Sequence, residues 1–446
     1  MTAPVARRGF TDEAVAELLA RRDEPEWMRQ RRRDAWQTYQ QIPMPARTDE
    51  EWRRTDLRNL TLDNVAPYAE SRTPAQSLLP AAEKDERMAG FLALQDGQPV
   101  EYRLDAQTAP GVIFTDLVSA VREHPQLVEQ YFMTEVVPAA SGKFAALHGA
   151  FWDNGTFLYV PRNVTVELPF RTIVAGSLDG SASMAHTLIV LEENAHAIFA
   201  EDFTSPDEAA SGFSSRVAEV LLGQGASLNY VGVQRWGRAV NDFHTERVLL
   251  GHNATVVFQT VEFGSRLSKG RTEAILRGNG ASAKLLGLYV EEGRQHFDRY
   301  TLQDHIGQSG TSDLLYKGVL TDSARSVFSG LIRVGPTGRQ TAAYQQNRNL
   351  LLSRKARADS IPNLEIGCND IIGCTHGATI GKVDEEELFY LQSRGLDRAT
   401  ATELIVEGFV NPLIEAVPIL PLREALREEV RGRIRGREAA VGPRRE

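Results

Sequence analysis

The stretch that decides the fold lies between residues 191 and 285, where four segments echo one another: LEENAHAIF from Leu191, LLGQGASLNY from Leu221, LLGHNATVVF from Leu249 and ILRGNGASAKL from Ile275. Each reads as an apolar strand, a tight polar or glycine turn, a small residue and another strand. The small residue is Ala195, Ala226, Ala254 and Ala281 in turn, and fainter echoes fall at Val164, Ala324 and Ala356. Gly223, Gly225, Gly251, Gly278 and Gly280 are expected to supply positive φ, which Asn253 and Asn279 tolerate. A unit of two or three short strands cannot bury its own face, so a recurrence of about 30 residues predicts stacked rungs, a β-helix or similar β-solenoid. A β-sandwich gives similar strand runs but no fixed return of alanine after the turn.

Outward from this core the pattern becomes helical on both sides. Residues 1 to about 60 read as helix, with Asp12 as cap before Ala14, Val15, Leu18 and Leu19 at helical spacing. Arg31, Arg32 and Arg33 read as its solvated end, and Pro43 and Pro45 enforce a stop. Trp52, set among charges, reads as a buried or docking indole. After Val383, DEEELFYLQSRG predicts a helix with Asp384 and Glu387 as capping box and Gly395 as C′ stop. A second helix is expected from Thr400 to Glu407, stopping at Gly408, and a third from about Asn411. A charged amphipathic fourth follows in LREALREEVRGRIRGRE. From Leu422 onward the chain holds eight arginines and five glutamates, which reads as a solvated helix with a fraying tail. The predicted organisation is a mainly helical N-terminal domain (1–135), a β-helix core (136–383) and a helical C-terminal domain (384–446).

Composition narrows the function. At 446 residues, 42% hydrophobic and 24% charged, the chain suits a globular protein of several cores. A net charge of −9 argues against generic nucleic-acid binding, which needs a basic excess to displace counterions. Neither a secretory signal nor an apolar span of about 18 residues is visible, so a cytoplasmic, non-membrane protein is expected. Cys368 and Cys374 are the only cysteines, too few for a disulfide scaffold or an all-thiolate cluster site.

Enzyme signatures are missing: the sequence contains no GxxxxGK[ST], HExxH, GxSxG or CxxC. GQGAS, GHNAT and GNGAS are followed by strands, so no helix dipole faces an anion and no bound nucleotide is expected. One concentrated site remains, CNDIIGCTHGAT from Cys368 to Thr379. On a strand, Cys374 and His376 share a face and reach one ion together. Thiolate plus imidazole suits iron, zinc or a cluster, but two ligands are half a shell, so the site would be incomplete or shared across an interface. A buried thiol beside a hydrogen-bonded histidine explains the same pair. His148, His196, His244, His252 and His296 have no partner at ligand spacing, and Asp304 and His305 point to opposite faces. Glu192, Glu193, Glu201 and Asp202 read equally as turn charges or as a carboxylate pair for glycoside chemistry.

Larger blocks carry a family resemblance. NRNLLLSRKARADSIPNLEI from Asn347, CTHGATIGKVDEEELFYLQSRGL from Cys374 and IVEGFVNPLIEAVP from Ile405 together resemble the SufB/SufD family of iron–sulfur cluster assembly proteins. LLYKGVLTDSARSVFSGLIRV from Leu314 and FWDNGTFLYVPRNVTVELP from Phe151 extend the likeness. PARTDEEWRRTDL from Pro45 resembles the SufD branch, as does the lack of N-terminal cysteines. The resemblance implies a right-handed parallel β-helix between helical domains, and a non-enzymatic scaffold working with a SufC-like ATPase and a SufB-like paralogue, with a cysteine desulfurase acting indirectly. His376, with Cys374 beside it, matches the position proposed to face a transient cluster or iron shared with the partner. Arg394, Gly395, Gly408 and Phe409 match the ATPase-docking region. The spacing from Leu364 to Cys374 is one residue longer than the family pattern, and Cys368 has no counterpart and is not assigned as a ligand. Two other readings share the solenoid: a secreted-type carbohydrate-active enzyme, and a purely structural homodimer.

Overall fold

Each repeat becomes one corner and two strands of a parallel solenoid. The computed structural model describes residues 9–68, 87–178, 180–205, 207–209 and 211–438, so the expected fraying tail beyond 438 lies outside the described residues. Its strands are β1 (Gly90–Gln95), β2 (Gln98–Leu104), β3 (Ile113–Asp116), β4 (Asn154–Val160), β5 (Phe170–Ala175), β6 (Ala182–Ser183), β7 (Ala185–Leu191), β8 (His196–Thr204), β9 (Ser211–Leu222) and β10 (Ser227–Arg235). They continue as β11 (Ala239–Leu250), β12 (Thr255–Glu262), β13 (Leu267–Leu276), β14 (Ser282–Glu291), β15 (His296–His305), β16 (Thr311–Leu320), β17 (Arg325–Val334), β18 (Ala342–Leu351), β19 (Arg357–Ile366) and β20 (Gly373–Lys382). One sheet runs β2-β1-β5-β8-β10-β12-β14-β16-β18-β20 and the other β19-β17-β15-β13-β11-β9-β7-β4-β3, with β6 beside β9. From β8 on the chain alternates between the sheets, one strand of each per coil.

The corners explain the repeat. Asn194, Gly225, Asn253, Gly280, Ser309 and Gln340 all have φ between 53° and 70°, and each N–H donates to a carbonyl of the next coil at 2.6–2.9 Å. The alanine after each of the first four is buried, turning its methyl into the core. Gly223, Gly251 and Gly278 do not have positive φ. They are required by close approach instead: a Cβ on Gly278 would lie 2.1 Å from the carbonyl carbon of Gly251 in the coil below. Ala324 and Ala356 precede β17 and β19, so they echo the opposite corner.

Between the sheets the lumen divides lengthwise. One side is apolar, with Phe199, Tyr230, Phe258, Leu285 and Leu314 stacked in register coil on coil. The other is polar and equally buried. Arg216 forms a bidentate pair with Asp242, His244 lies 3.0 Å from Asp242 and 3.3 Å from Glu262, and Arg299 pairs with Glu262. Farther along, Tyr289 donates to Asn349 at 2.7 Å, Asn347 donates to Tyr289 at 2.9 Å, and Ser360 donates to Asn347. Glycines make room for the large groups: a Cβ on Gly270 would sit 2.0 Å from His244 Nε2.

Helices α1 (Asp12–Arg21), α2 (Glu26–Gln41), α3 (Leu117–Glu123), α4 (Pro125–Tyr131) and α5 (Lys143–Phe151) cover the first coils. Thr11, not Asp12, caps α1, accepting from the Ala14 N–H, while Asp12 accepts from Trp36 Nε1. Arg32 is not solvated: it is 0% exposed, bonded to both oxygens of Glu24 and to the Ala150 and Trp152 carbonyls, and stacked on Trp152. Nor do strands wait for residue 136. β1 and β2 form a hairpin through Asp96 and Gly97, both at positive φ, and β1 joins β5 in parallel.

At the other end, α6 (Glu385–Ser393), α7 (Arg398–Ile414) and α8 (Leu420–Glu438) follow β20. Asp384 caps α6 by accepting from Glu386 rather than Glu387, and Gly395 (φ 93°) ends it. Gly408 stops nothing, because α7 continues through it and through Pro412. The ring leaves the Gly408 carbonyl without its helical donor, a local loss that the packing of Val406, Val410, Leu413 and Ile414 on the sheet outweighs. Likewise α8 is solvated on one face only. Leu422, Leu426, Val430 and Ile434 are buried against the first sheet, each contributing about 1.5–3 kcal/mol. Its arginines pair with Glu403, Glu407, Glu415 and Glu292.

Candidate functional site

The last coil carries the predicted pair. β20 lies in register with β18, placing Cys374 opposite Ala343 and His376 opposite Gln345. Because β-strand side chains alternate, both share the face that Gln345 and Asn347 turn into the lumen. Cys374 packs with Ile332, Val334 and Ala343, confirming that direction, and burial pushes its thiol pKa up. His376 is exposed at the mouth. The pair therefore caps the lumen at its open end.

Beneath it the lumen offers unsatisfied polar atoms. Gln345 is 0% exposed, yet neither amide atom has a hydrogen-bond partner, and the Gln303 carbonyl oxygen is unpaired beside it. Such groups cost free energy unless water or cargo meets them. Cys368, left unassigned on sequence grounds, packs in the same apolar cluster as Cys374. Among the described residues no three His, Cys, Asp or Glu side chains are placed to hold a metal ion.

What surrounds the mouth is apolar and open. β19 and β20 are the terminal strands of the two sheets and leave one edge each unpaired. Leu364, Ile366, Ile372 and Ile380 are exposed there, Ile372 to 75%. A second exposed group lies on α6, where Phe389 is 73% exposed next to Tyr390. Arg394 and Gly395 close this helix, and the Arg394 guanidinium lies over the Tyr390 ring. Gly408 is exposed on α7, whereas Phe409 is half-buried and its carbonyl accepts from Lys317.

The family described as "SUF system FeS cluster assembly, SufBD core domain" matches residues 173–409, and the "SufBD protein N-terminal region" matches residues 93–172. The chain belongs to the SufBD family. It is 30% identical to an iron-sulfur cluster assembly SufBD family protein of Staphylococcus saprophyticus, over 93% of this chain and 91% of the relative. The same coverage holds at 29% identity for a SufBD family protein of Staphylococcus epidermidis and at 28% for the iron-sulfur cluster assembly protein SufB of Bacillus subtilis. In this SufBD-family chain no helix among the described residues is long and apolar enough to cross a membrane.

The remaining candidates are placed apart from the mouth. Asp304 pairs with Arg333 and His305 contacts Ser312, so they do not form a pair. Glu201 is buried against Tyr230 and Thr187, while Asp202 faces Arg171 and Arg235. Trp52 packs on Phe144 and Phe243. Sequence reasoning missed His186. It lies 3.1 Å from both His148 Nε2 and Glu219 Oε2, contacts made across α5, β7 and β9 that no local spacing announces.

Proposed function

We propose that this SufBD-family chain is a SufD-branch scaffold subunit without turnover of its own, on which iron and sulfide assemble as cargo at an interface with a SufB-like paralogue. The observation that carries this reading is the last coil: two unpaired strand edges, an apolar rim, and Cys374 with His376 at the mouth of a buried polar lumen. A second solenoid presenting its own edge would continue both sheets, cover the rim and supply the missing ligands. The exposed Phe389 and Tyr390 on α6, with Arg394, Gly395, Gly408 and Phe409 nearby, provide a separate docking face for a SufC-like ATPase. Its nucleotide cycle would then move a subunit rigidly joined to the solenoid by α7 and α8.

The test is anaerobic co-expression with SufB- and SufC-type partners, followed by iron and acid-labile sulfide determination on the purified complex. With His376→Ala, the expected result is an intact complex carrying several-fold less cluster. Unchanged cluster content would make the chain architectural, as in the homodimer reading. Failure of the wild-type chain to join either partner would overturn the scaffold assignment.

A further inference from the structure

A cavity of about 360 Å3 lies on the outer face of the second sheet, far from the lumen mouth and unused by the reading above. Its roof is the strap from Ile42 to Trp52, and its floor comes from the start of α5 and from β9, β11 and β13. The strap is tied at both ends. Lys143 Nζ donates to the carbonyls of Tyr39 (2.5 Å) and Ile42 (2.8 Å), while Lys269 Nζ donates to the carbonyl of Glu51 (2.8 Å). Pro43 and Pro45 stiffen the span between, so the cavity is pre-formed and of a size that suits a small ligand.

Its walls are aromatic. Phe144 and Phe243 stack with centroids 4.0 Å apart, and Trp52 lies 5.6 Å from Phe144. Its cations differ in a telling way. Lys269 pairs with Asp298, Arg271 with Glu51 and Glu273, and Arg216 with Asp242. Lys143, by contrast, has two carbonyls and the face of the Tyr39 ring (3.6 Å to its centroid) as partners, and no carboxylate lies within salt-bridge distance of it among the described residues. One wall therefore holds an ammonium whose charge no anion balances.

The floor carries a hydroxyl with a set orientation. Ser215 Oγ lies 3.3 Å from His148 Nδ1, His148 Nε2 lies 3.1 Å from His186 Nδ1, and His186 Nε2 lies 3.1 Å from Glu219 Oε2. The Glu219 carboxyl also accepts the N–H groups of Met133 and Val137 at 2.6 and 2.8 Å. Above its raised pKa of about 8 the ionised Glu219 accepts from His186 as well, and each neutral imidazole passes its one donor down the chain. Ser215 then gives its proton to His148 and turns lone pairs toward the cavity.

We propose that this cavity binds a planar aromatic anion bearing a distal hydroxyl or N–H. Its ring packs against Trp52 and Phe144, its anionic group meets Lys143, and its donor is received by Ser215. The site is independent of cluster assembly.

Calorimetry at pH 8.5, where Glu219 is ionised, with 6-hydroxy-2-naphthoate on the full chain tests it, with 2-naphthol and 2-naphthoate as comparison probes. The expected result is one saturable site, abolished by Thr245→Phe, which fills the slot. Lys143→Met should weaken 6-hydroxy-2-naphthoate about ten-fold or more while leaving 2-naphthol unchanged. Ser215→Ala should erase the preference for the hydroxylated acid over 2-naphthoate. Melting curves identify variants that fold as wild type, and Lys143→Met decides the matter if Thr245→Phe does not fold. No saturable binding to the wild-type chain, or equal binding by a folded Lys143→Met variant, would overturn the proposal.

Discussion

The two ends of the solenoid are finished in opposite ways. At the first, the sheets stop on antiparallel strands: β2, which bulges at Val100 opposite Ala93/Leu94 of β1 and carries Pro99, Glu101 and Arg103, and β3, which is only four residues long. Bulges, charges, proline and short length are the devices by which proteins discourage further strand pairing. Five helices then pack over this end. At the last, β19 and β20 are each ten residues long, run parallel to their neighbours and carry exposed Leu364, Ile366, Ile372 and Ile380. A stack that protects one edge and presents the other has a direction in which it can be extended.

The comparison breaks most readily at the closed end. Arg32→Ala leaves Glu24 buried without its cation and opens a void under Trp152, so a loss of about 3–5 kcal/mol in urea unfolding is expected. A loss below about 1 kcal/mol would mean that this end contributes little to the fold.

Next in size is a pH effect seated away from the open end. Burial depresses His186 to about 3, so its contribution is present above the usual imidazole range and is lost as pH falls through that range toward 3. Burial raises Glu219 to about 8, so its contribution is lost as pH rises from about 4.5 through 8. Burial and the Arg216 charge push His244 down, but its hydrogen bonds to Asp242 and Glu262 prevail and raise it to about 9, adding to the alkaline loss above 6.5. Melting temperature should therefore fall on either side of a maximum between about pH 4.5 and 6.5, and Glu219→Gln should flatten the alkaline limb. An unchanged alkaline slope in that variant would remove Glu219 from the account.

Smaller still is the capping of α6. Asp384→Ala should cost about 1 kcal/mol locally, seen as faster amide exchange over Glu385–Ser393 with the global transition unmoved. The smallest effect on stability belongs to the open end itself. Ile372→Asp should change unfolding by less than about 0.5 kcal/mol, yet abolish co-purification with a SufB-type partner. Retained assembly would show that the rim is not the contact.

Corners were legible because a left-handed residue recurs where coils stack, and at four of them a buried alanine follows it. The β1–β2 hairpin, by contrast, went unread inside the predicted helical domain, because its Asp96-Gly97 turn is a brief signal that stands outside the repeat. The polar half of the lumen was hidden. Alternation suggests that Glu201, Arg216, Asp242 and Glu262 face solvent, and only pairing across coils, some 20 to 40 residues apart in sequence, allows them inside. Arg32 misled for the same reason: a triple arginine looks solvated until Glu24 and Trp152 fold around one member. At the candidate site, strand parity correctly predicted that Cys374 and His376 share a face. It did not predict that this face looks into the lumen, nor that Cys368 returns to the same cluster.

Coils that touch only their neighbours make a structure that resists compression well and shear poorly. α7 and α8 change this. They run along the outside of the first sheet and pack on Ala200, Val231, Val261, Leu286, Val319 and Leu350, one from each of six successive strands, β8 through β18. Arg433 to Glu292, Arg235 to Glu429 and Gln259 to the Leu413 carbonyl rivet the joint. In mechanical terms the pair is a splint: a torque applied at α6 is shared among six coils at once, so the solenoid turns as a beam rather than slipping coil by coil.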